Sequence, residues 1–454
     1  YSCYELRIME YRGNAYRLLE SYDVKVGDRI VVKTRDNEYR GILMPRYELA
    51  DDLHLVIKLR NGYNVGISVD EILSILLEER AREKDREEVV IGGREKKEKE
   101  DERDGSVSVE HNATRLAMIS TGGTIASRID YRTGGVRAAL TAEELYSIVP
   151  ELSSIAAIDA EVLMQEYSEN LTPMHWSIIA ERVGEKIYEG YDGIVIAHGT
   201  DTMHYTSSAL SFALQNLPVP VVLVGAQRSS DRPSSDAAAN LIGASLFAAN
   251  ADASGVFIVM HNGKSDDRIA VHIGTRVRKN HTSSRDAFKS IDTEPIALVD
   301  VDSSRIDMML ELNVRRRRDK ARRPIVRTRF NEHVALIKFY PGLDPSMIEH
   351  LISKGYRGLV LEGTGLGHVS KGCFNAIRDA IDSNMLVCMT SQCIWGRLRM
   401  TVYETGRDLL SMGVVPLDML PETALVKVMW VLANSSSMDE AKSMLLSNMA
   451  MEFK

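Results

Sequence analysis

Threonine residues follow two apolar segments of the chain, at points where a β-strand would end. The segment "LAMIS" leads into "TGGT" at 121–124, and "GIVIA" leads into "HGTD" at 198–201. A threonine hydroxyl is a weak nucleophile that needs a base or a proton acceptor beside it. Adjacent glycines let the backbone turn sharply and expose a hydroxyl to an open pocket. The first turn therefore favours a site in which Thr121 or Thr124 serves as a nucleophile or a polar clamp.

The same residues exclude two glycine-rich phosphate-binding loops. A Walker loop ends in Gly-Lys-Ser/Thr so that the lysine reaches the phosphates, whereas Ile125 and Ala126 follow Thr124 in this chain. A dinucleotide-binding fingerprint needs three spaced glycines, and this turn has the adjacent pair Gly122 and Gly123 instead. The turn is therefore better suited to expose hydroxyl groups than to bind a nucleotide.

A lysine in a later polar stretch is a candidate for proton transfer. Lys279 lies in "RVRKNHTSSRDAFKS", with Asp286 nearby in the same stretch. Burial lowers the pKa of a lysine, and a neighbouring carboxylate holds it in place. From composition alone, a lysine in such a stretch is more typical of a solvent-exposed surface, so both interpretations stay open at this point.

Strand and helix patterns alternate from Arg115 onward. Unbroken apolar runs such as "PVVLVGA" and "GVFIVMHNG" predict buried parallel strands. Between the apolar runs, the spacing of apolar residues predicts helices at Met174–Glu189, Met203–Gln215 and Ser235–Ala249. Such alternation predicts an α/β fold with a parallel sheet, in which functional sites lie at the carboxyl ends of the strands. Both threonine turns follow strands in this way.

The N-terminal part of the chain has a different pattern. About five short strands are predicted between Val24 and Ile75, with turn signals such as Asn61-Gly62. This pattern favours a small SH3-like or Sm-like β-barrel that serves as a docking module. Arg94–Asp104 are consecutive charged residues, which cannot be buried and therefore predict a solvated tether.

Composition divides the chain into five segments. Two of them are α/β lobes, separated by "RRRRDKARR" at Arg315–Arg323. This basic run is either a solvated connector or a patch that contacts the phosphates of a nucleic acid. The predicted segments are a β-barrel domain at 1–77, a charged linker at 78–112, a larger lobe with the active site at 113–314, a basic connector at 315–332 and a smaller lobe at 333–454.

Charge and cysteine content restrict the class of protein. The net charge of -8 over 454 residues argues against nucleic-acid binding across the whole surface. The spacing of Cys3, Cys373, Cys388 and Cys393 matches no zinc or redox motif, which is typical of reduced cytosolic thiols. No apolar run approaches the roughly 18 residues of a membrane span. We therefore expect a cytoplasmic protein that does not bind membranes.

Two pairs of motifs give the chain a specific resemblance. "TGGTIAS" followed by "HGTDTM" resembles the signature pair of the bacterial-type L-asparaginase family. "PVVLVGAQRSS" and "RKNHTSSRDAFKS" resemble later blocks of that family, in the same order. The resemblance extends from Arg115 to the C-terminus, about three quarters of the chain. It implies an asparaginase-like pair of α/β lobes that hydrolyses a side-chain amide through a threonine acyl-enzyme, without a metal or an organic cofactor.

The resemblance implies a catalytic role for four residues. Thr124 matches the primary nucleophile of the family. Thr200 and Asp201 match the second threonine and its aspartate, and Lys279 matches the lysine that pairs with them. Asp201 is also implied to hold the α-amino group of the substrate.

Three more residues match substrate-binding positions. Ser168 and Glu169, in "MQEYSEN", match the pair that binds the α-carboxylate and α-amino ends of the substrate. Tyr131 is similar in position to the tyrosine of a mobile flap that follows the first motif. The family also completes its site with a residue from a neighbouring subunit, which implies at least a homodimer.

The barrel and the tether distinguish this chain from stand-alone asparaginases. An asparaginase-like core behind a small barrel resembles the family of D subunits of archaeal glutamyl-tRNA(Gln) amidotransferases. That resemblance implies that glutamine is the amide donor and that its ammonia passes to a partner, the E subunit. The E subunit would use ATP and Mg to activate Glu-tRNA(Gln), with a homodimer of this chain inside a heterotetramer. No cofactor is implied on this chain itself.

Two other functions stay open from the sequence alone. One is a free asparaginase or glutaminase that carries an accessory barrel. The other is a non-enzymatic scaffold on an asparaginase-like fold, against which the complete set of Thr124, Thr200, Asp201 and Lys279 argues. Activity that depends on the E subunit would separate the amidotransferase component from a free amidohydrolase.

Overall fold

The computed structural model places the chain in an N-terminal sheet unit and two α/β lobes. It describes residues 11–44, 51–59, 64–80, 114–122, 127–129, 136–138, 145–146, 149–228, 235–264, 268–310 and 316–453.

The N-terminal unit is a five-stranded antiparallel sheet with one helix against it. Its core contains Ala15 and Leu19 of the helix together with Ile30, Val32 and other aliphatic residues of the strands. The five strands agree with the sequence prediction, whereas the helix was not predicted. The elements are α1 (Gly13–Ser21), β1 (Arg29–Thr34), β2 (Glu38–Leu43), β3 (His54–Leu59), β4 (Asn64–Ser68) and β5 (Ile72–Glu79).

The strands of this unit follow the order β4-β3-β2-β1-β5. The ladder between β1 and β5 shifts register at Arg29/Ile30 and at Lys33/Thr34. Such bulges increase the local twist of a sheet. Among the described strands no ladder joins β4 to β5, so closure into a barrel stays a prediction.

The larger lobe begins at Arg115 and alternates strands with helices. The helices predicted at 174–189, 203–215 and 235–249 are observed within three residues of those bounds. The elements are β6 (Arg115–Ser120), β7 (Ser127–Ile129), β8 (Val136–Ala138), β9 (Ala157–Val162), α2 (Pro173–Tyr188), β10 (Gly193–Ala197), α3 (Met203–Ala213), β11 (Leu214–Gln215), β12 (Pro220–Val224), α4 (Ala237–Asn250), β13 (Gly255–His261), β14 (Arg268–Ile273), β15 (Val277–Lys279), β16 (Phe288–Ser290), β17 (Ala297–Asp300), β18 (Arg305–Met308) and β19 (Ile325–Val326).

An eight-stranded sheet in the order β18-β17-β14-β13-β12-β10-β6-β9 forms the centre of this lobe. Within this sheet, the neighbouring strands β13, β12, β10, β6 and β9 pair in parallel, which confirms the predicted parallel sheet. The strands β14, β17 and β18 extend it with antiparallel pairs that the sequence did not predict. All five residues of β10 and of β12 are buried, because helices cover both faces of the sheet.

The helix α2 shows how local sequence determines a boundary. Pro173 occupies its first turn, where the missing N–H is not needed. Thr172 and His175 exchange hydrogen bonds in a capping box. Its apolar stripe, which includes Ile179 and Val183, is buried against the sheet. Local residues therefore determine where the helix begins, and its apolar stripe determines which face is buried.

The smaller lobe is a four-stranded parallel sheet in the order β20-β21-β22-β23, flanked by helices. It ends in two helices, as the sequence predicted. The elements are β20 (Val334–Lys338), α5 (Ser346–Ser353), β21 (Gly358–Gly363), α6 (Phe374–Asp382), β22 (Leu386–Ser391), α7 (Glu404–Met412), β23 (Val415–Pro416), α8 (Pro421–Asn434) and α9 (Met438–Leu446).

The two lobes share a core at which α3 packs against α8. The rings of Phe212 and Trp430 lie 6.2 Å apart there, and both side chains are fully buried. Beside them, the buried Lys427 donates to Glu452 and to the carbonyls of Leu445 and Ser447. The C-terminal segment is therefore fastened to the shared core.

The described part of the basic connector is mostly exposed, but several of its basic side chains contact the larger lobe, among them Arg317 with Asp252 and Lys320 with Asp192. Arg318 donates to the carbonyl oxygens of Ala248 at 2.7 Å, Asp192 at 2.8 Å and Ala251 at 3.1 Å. Arg322 donates to the carbonyl of Leu217 at 3.2 Å. Arg318 and Arg322 therefore anchor the connector to the larger lobe, and contact between the remaining basic residues and a nucleic acid stays one of the two alternatives. Within the described part of the chain, no helix has the length and apolar character to cross a membrane.

Candidate active site

The site lies where three neighbouring parallel strands end at one edge of the large sheet. The strand β6 ends at Ser120, β10 ends at Ala197 and β12 ends at Val224. Because β6 and β12 both pair with β10, the turns that follow the three strands are adjacent. This is the edge at which open α/β sheets bind ligands.

Thr121 supports the first turn and is not exposed to a pocket. Its side chain is 1% exposed, and its hydroxyl donates to the carbonyl of Ala197 at 3.1 Å. Gly122 follows with φ of 125°, and an added Cβ would lie 2.1 Å from the carbonyl oxygen of Glu166. Only glycine fits such a position. The buried hydroxyl of Thr121 therefore leaves Thr124 as the candidate nucleophile of this turn.

Two of the predicted site residues lie outside the described residues. These are Thr124, the candidate nucleophile, and Tyr131, the candidate flap residue. Their roles stay predictions that rest on the motif and on the position of the turn in which Thr124 lies.

Three predicted residues are in direct contact at the next strand end. Lys279 Nζ donates to Thr200 Oγ1 at 2.8 Å and to Asp201 Oδ1 at 2.6 Å. The lysine side chain is only 10% exposed, whereas that of Asp201 is 69% exposed. An ammonium group has only donors, so the hydroxyl hydrogen of Thr200 is free to point toward another acceptor. The arrangement is suited to carry a proton between Thr200 and a reacting group.

Asp286, the carboxylate close to Lys279 in sequence, belongs to a different cluster. It accepts hydrogen bonds from Ser284 and from Lys289, the latter at 2.9 Å. These bonds lower the pKa of Asp286 to about 2. The carboxylate partner of Lys279 is Asp201, which lies far away in sequence.

Two histidines beside the second turn are neutral at physiological pH. Burial lowers the pKa of His198 to about 4 and that of His204 to about 3. The Nε2 atom of His198 lies 2.9 Å from Thr206 Oγ1, and its Nδ1 atom lies 2.6 Å from the carbonyl oxygen of Gly199. His198 therefore supports the turn, and proton transfer is left to the Lys279 cluster.

The candidate substrate-binding pair lies against the second turn. Ser168 is buried, and its carbonyl accepts a hydrogen bond of 2.6 Å from the hydroxyl of Thr202. An added Cβ on Gly199 would lie 2.9 Å from the Cβ of Ser168, so Gly199 packs closely against Ser168. Glu169 follows and is exposed. The structure thus places Ser168 against Gly199 and Thr202, which flank Thr200 and Asp201 in the second turn.

Gly225, after β12, gives a test of how tightly this site is packed. A Cβ at this position would lie 2.7 Å from Thr200 Cγ2 and 2.8 Å from the carbonyl oxygen of His198. We expect Gly225→Ala to displace Thr200 and lower the turnover of the amide substrate by roughly 100-fold, because small displacements of catalytic groups have effects of this size. Steady-state kinetics of the purified variant measures this loss.

Gly263→Ala is the matched control for this substitution. An added Cβ at Gly263 meets no atom within 4 Å. Turnover should therefore stay close to that of the unmodified protein. Equal turnover in the two variants would mean that contact with Gly225 does not position Thr200.

Sequence reasoning missed a charged pair that joins the smaller lobe to the strand that carries Lys279. Arg278 precedes Lys279 on β15 and lies 3.2 Å from the carboxylate of Glu422. Glu422 is 6% exposed, and burial raises its pKa. It lies in the first turn of α8, so the smaller lobe helps to position the strand that carries Lys279. No motif marks Glu422, because its role depends on the packing of the two lobes.

Known families match the chain over most of its length. The family described as "Asparaginase, N-terminal" matches residues 115–312 and "Glutaminase/Asparaginase C-terminal domain" matches residues 333–445. The family described as "GatD N-terminal domain" matches residues 24–77. The matches coincide with the larger lobe, the smaller lobe and the N-terminal sheet.

Solved asparaginases share the two-lobe fold. The thermostable L-asparaginase from Thermococcus kodakarensis is 32% identical, with a TM-score of 0.66 over 75% of this chain and 99% of that protein. L-asparaginase I from Vibrio cholerae is 27% identical, with a TM-score of 0.65 over 76% of this chain and 100% of that protein. Both cover about three quarters of this chain.

Curated relatives cover nearly the whole chain. The glutamyl-tRNA(Gln) amidotransferase D subunit of Methanopyrus kandleri is 46% identical over 98% of this chain and 95% of its own length. The D subunit of the same enzyme from Pyrococcus furiosus is 47% identical over 96% of each chain. The chain therefore belongs to the family of glutamyl-tRNA(Gln) amidotransferase D subunits, in which an N-terminal domain precedes an asparaginase-type pair of lobes.

Proposed function

We propose that this protein is the glutaminase subunit of an amidotransferase that converts Glu-tRNA(Gln) to Gln-tRNA(Gln). The observation that carries the proposal is the contact of Lys279 with both Thr200 and Asp201 at the end of β10. It occurs in a chain that also has the N-terminal domain of the D-subunit family. Together these features favour an amide hydrolase that works inside a larger complex.

The first chemical step is attack by the hydroxyl oxygen of Thr124 on the side-chain amide carbon of glutamine. The carbonyl oxygen gains negative charge, which backbone N–H groups of the glycine-rich turns are suited to stabilise. The hydroxyl proton of Thr124 passes to the relay of Thr200 and Lys279 during the attack. The C–N bond then breaks, and the relay gives a proton to the leaving nitrogen. The products of this step are ammonia and a glutamyl ester of Thr124.

Water completes the cycle by hydrolysing that ester. The same relay takes a proton from the attacking water and returns one to the hydroxyl of Thr124. Glutamate is released and the enzyme regains its starting state. Asp201, whose side chain is largely exposed toward solvent, is suited to bind the α-ammonium group of the substrate. Ser168 and Glu169 are assigned to its α-carboxylate and α-amino ends.

The ammonia passes to an E subunit in this proposal. That partner uses ATP and Mg to activate the γ-carboxyl group of Glu-tRNA(Gln), and ammonia displaces the activated group. The chain itself binds no cofactor, forms a homodimer within a heterotetramer and acts in the cytoplasm. The N-terminal domain, which stand-alone asparaginases lack, is assigned to docking within this complex.

Partner dependence is the experiment that tests the proposal. The purified chain alone should hydrolyse glutamine slowly. Addition of the E subunit with Glu-tRNA(Gln) and ATP should increase glutamate release, because a complex that channels ammonia couples its two reactions. Release of glutamate and formation of Gln-tRNA(Gln) are measured in the same reaction.

A fast reaction with asparagine in the absence of any partner would contradict the proposal. That result would favour the second candidate, a stand-alone asparaginase or glutaminase with an accessory domain. If the E subunit stimulates glutamine hydrolysis equally well without Glu-tRNA(Gln), the proposed complex is supported, but the proposed coupling of hydrolysis to the tRNA reaction is refuted.

A further inference from the structure

The turn after β12 is held from behind by a group of buried polar side chains that the proposed mechanism does not use. Asp236 and Asn240 lie at the start of α4, and His261 lies at the end of β13. All three side chains are 0% exposed. Burial of a polar side chain is unfavourable unless it forms hydrogen bonds. The hydrogen-bond partners of these three side chains therefore indicate what the group holds in place.

Asp236 binds the backbone of the turn directly. Its Oδ2 accepts a hydrogen bond from Gln227 N at 3.0 Å, and its Oδ1 accepts one from Arg228 N at 2.9 Å. Both oxygens of the carboxylate therefore hold consecutive N–H groups of the same turn. Hydrogen bonds to a charged acceptor are about twice as strong as neutral ones, which makes Asp236 the principal anchor.

Asn240 extends the anchor to the first residue of the turn. Its Nδ2 donates to the carbonyl of Gly225 at 2.9 Å and to Asp236 Oδ2 at 2.9 Å. Its Oδ1 lies 2.5 Å from His261 Nδ1, which must be the donor because an amide oxygen only accepts. Asn240 therefore joins the turn, the helix and the neighbouring strand.

The anchored turn touches the catalytic threonine. Gly225 is so close to Thr200 that a Cβ would lie 2.7 Å from Thr200 Cγ2. A movement of this turn would change the position of the hydroxyl that Lys279 holds. The turn contacts the methyl group of Thr200 while Lys279 binds its hydroxyl, so the two contacts together restrain this side chain.

We infer that Asp236 and Asn240 are positioning residues that set the location of Thr200 for amide hydrolysis. The inference rests on the proposed amidohydrolase function, and it assigns the two residues no contact with substrate. Their removal should lower kcat and leave KM nearly unchanged, because binding groups such as Asp201 and Glu169 are not displaced.

The test compares Asp236→Ala, Asp236→Asn and Asn240→Ala in the full chain assembled with its E subunit. Asp236→Ala and Asn240→Ala should lower kcat for glutamine roughly 10- to 100-fold, the size expected for a misplaced catalytic group. Asp236→Asn keeps the shape and one acceptor oxygen, so it should recover part of the lost kcat and should fold even if Asp236→Ala does not. KM should change by less than about threefold in each.

Ser245→Ala is the matched control on the same helix. Ser245 is also 0% exposed, and its hydroxyl has no partner among the described residues. This variant should retain kcat. A fall in kcat in Ser245→Ala that equals the fall in Asn240→Ala would overturn the inference, since α4 as a whole would then be sensitive to any change.

Hydrogen exchange of the backbone gives a second readout that does not depend on activity. The segment 225–228 should exchange faster in Asp236→Ala and Asn240→Ala than in the unmodified protein, whereas α2 should be unaffected. Unchanged exchange of this segment, or unchanged kcat in the folded variants, would refute the anchor. If the unmodified complex does not hydrolyse glutamine, the proposed function fails, and the exchange result still decides whether the anchor exists.

Discussion

Thr124→Ala is expected to abolish hydrolysis of glutamine and to leave the use of free ammonia intact. The hydroxyl of Thr124 is the attacking group in the proposed mechanism, and no other group in the turn can replace it. Thr121 is buried and bonded to the carbonyl of Ala197. Loss of a nucleophile reduces turnover by a factor on the order of 10⁴ or more. Glutamate release by the purified complex measures this loss.

The same preparation provides the control for Thr124→Ala. With ammonium chloride in place of glutamine, the complex should still form Gln-tRNA(Gln), because the partner's reaction uses ammonia from any source. Thr124→Ser keeps a hydroxyl and should retain measurable activity. Glutamine-dependent formation of Gln-tRNA(Gln) by the alanine variant would show that Thr124 is not the nucleophile.

Lys279→Met is expected to produce the second large effect. Lys279 is the only described cation bonded to Thr200 Oγ1, at 2.8 Å, and its side chain is 10% exposed. Removal of the ammonium group interrupts the proton path to the leaving ammonia, and general acid–base groups contribute roughly 10²- to 10⁴-fold. We expect kcat for glutamine to fall by about that factor, as measured by glutamate release at saturating substrate.

Lys289→Met is the matched control for Lys279. The strands β15 and β16 pair with each other, so both lysines lie on the same small hairpin. Lys289 is 42% exposed and bonded to Asp286 at 2.9 Å, away from Thr200. Exposed ion pairs of this kind contribute little to stability, so this variant should behave like the unmodified protein. If both lysine variants have equal activity, Lys279 is not part of a proton relay.

The two lobes and the strand ends of the site were predictable from local patterns. Buried parallel strands appear as unbroken apolar runs, and helices appear as apolar stripes with a period near 3.6 residues. The folded protein has the strands and helices that these patterns predict, because each pattern is a property of a single element. The antiparallel strands β14, β17 and β18 were not predicted, since pairing direction depends on where the chain returns to the sheet.

The sequence by itself identified the candidate residues for the chemistry of this protein. The two threonine turns were recognisable from residue type and order, whereas Lys279 was assigned through the family resemblance. The buried hydroxyl of Thr121 agrees with the choice of Thr124. The resemblance implied that Lys279 pairs with Thr200 and Asp201, and the tertiary structure formed these contacts. It bonded Lys279 to Asp201, which is 78 residues away, and left Asp286 with Lys289.

The support behind the site was also decided by the fold alone. Asp236 and Asn240 anchor the turn at Gly225, and Glu422 in the smaller lobe pairs with Arg278. Each of these contacts joins elements that are adjacent only after the sheet and the lobes have assembled. Periodicity and motif spacing describe one element at a time, so they indicate candidate reacting groups but not the distant side chains that hold these groups in position.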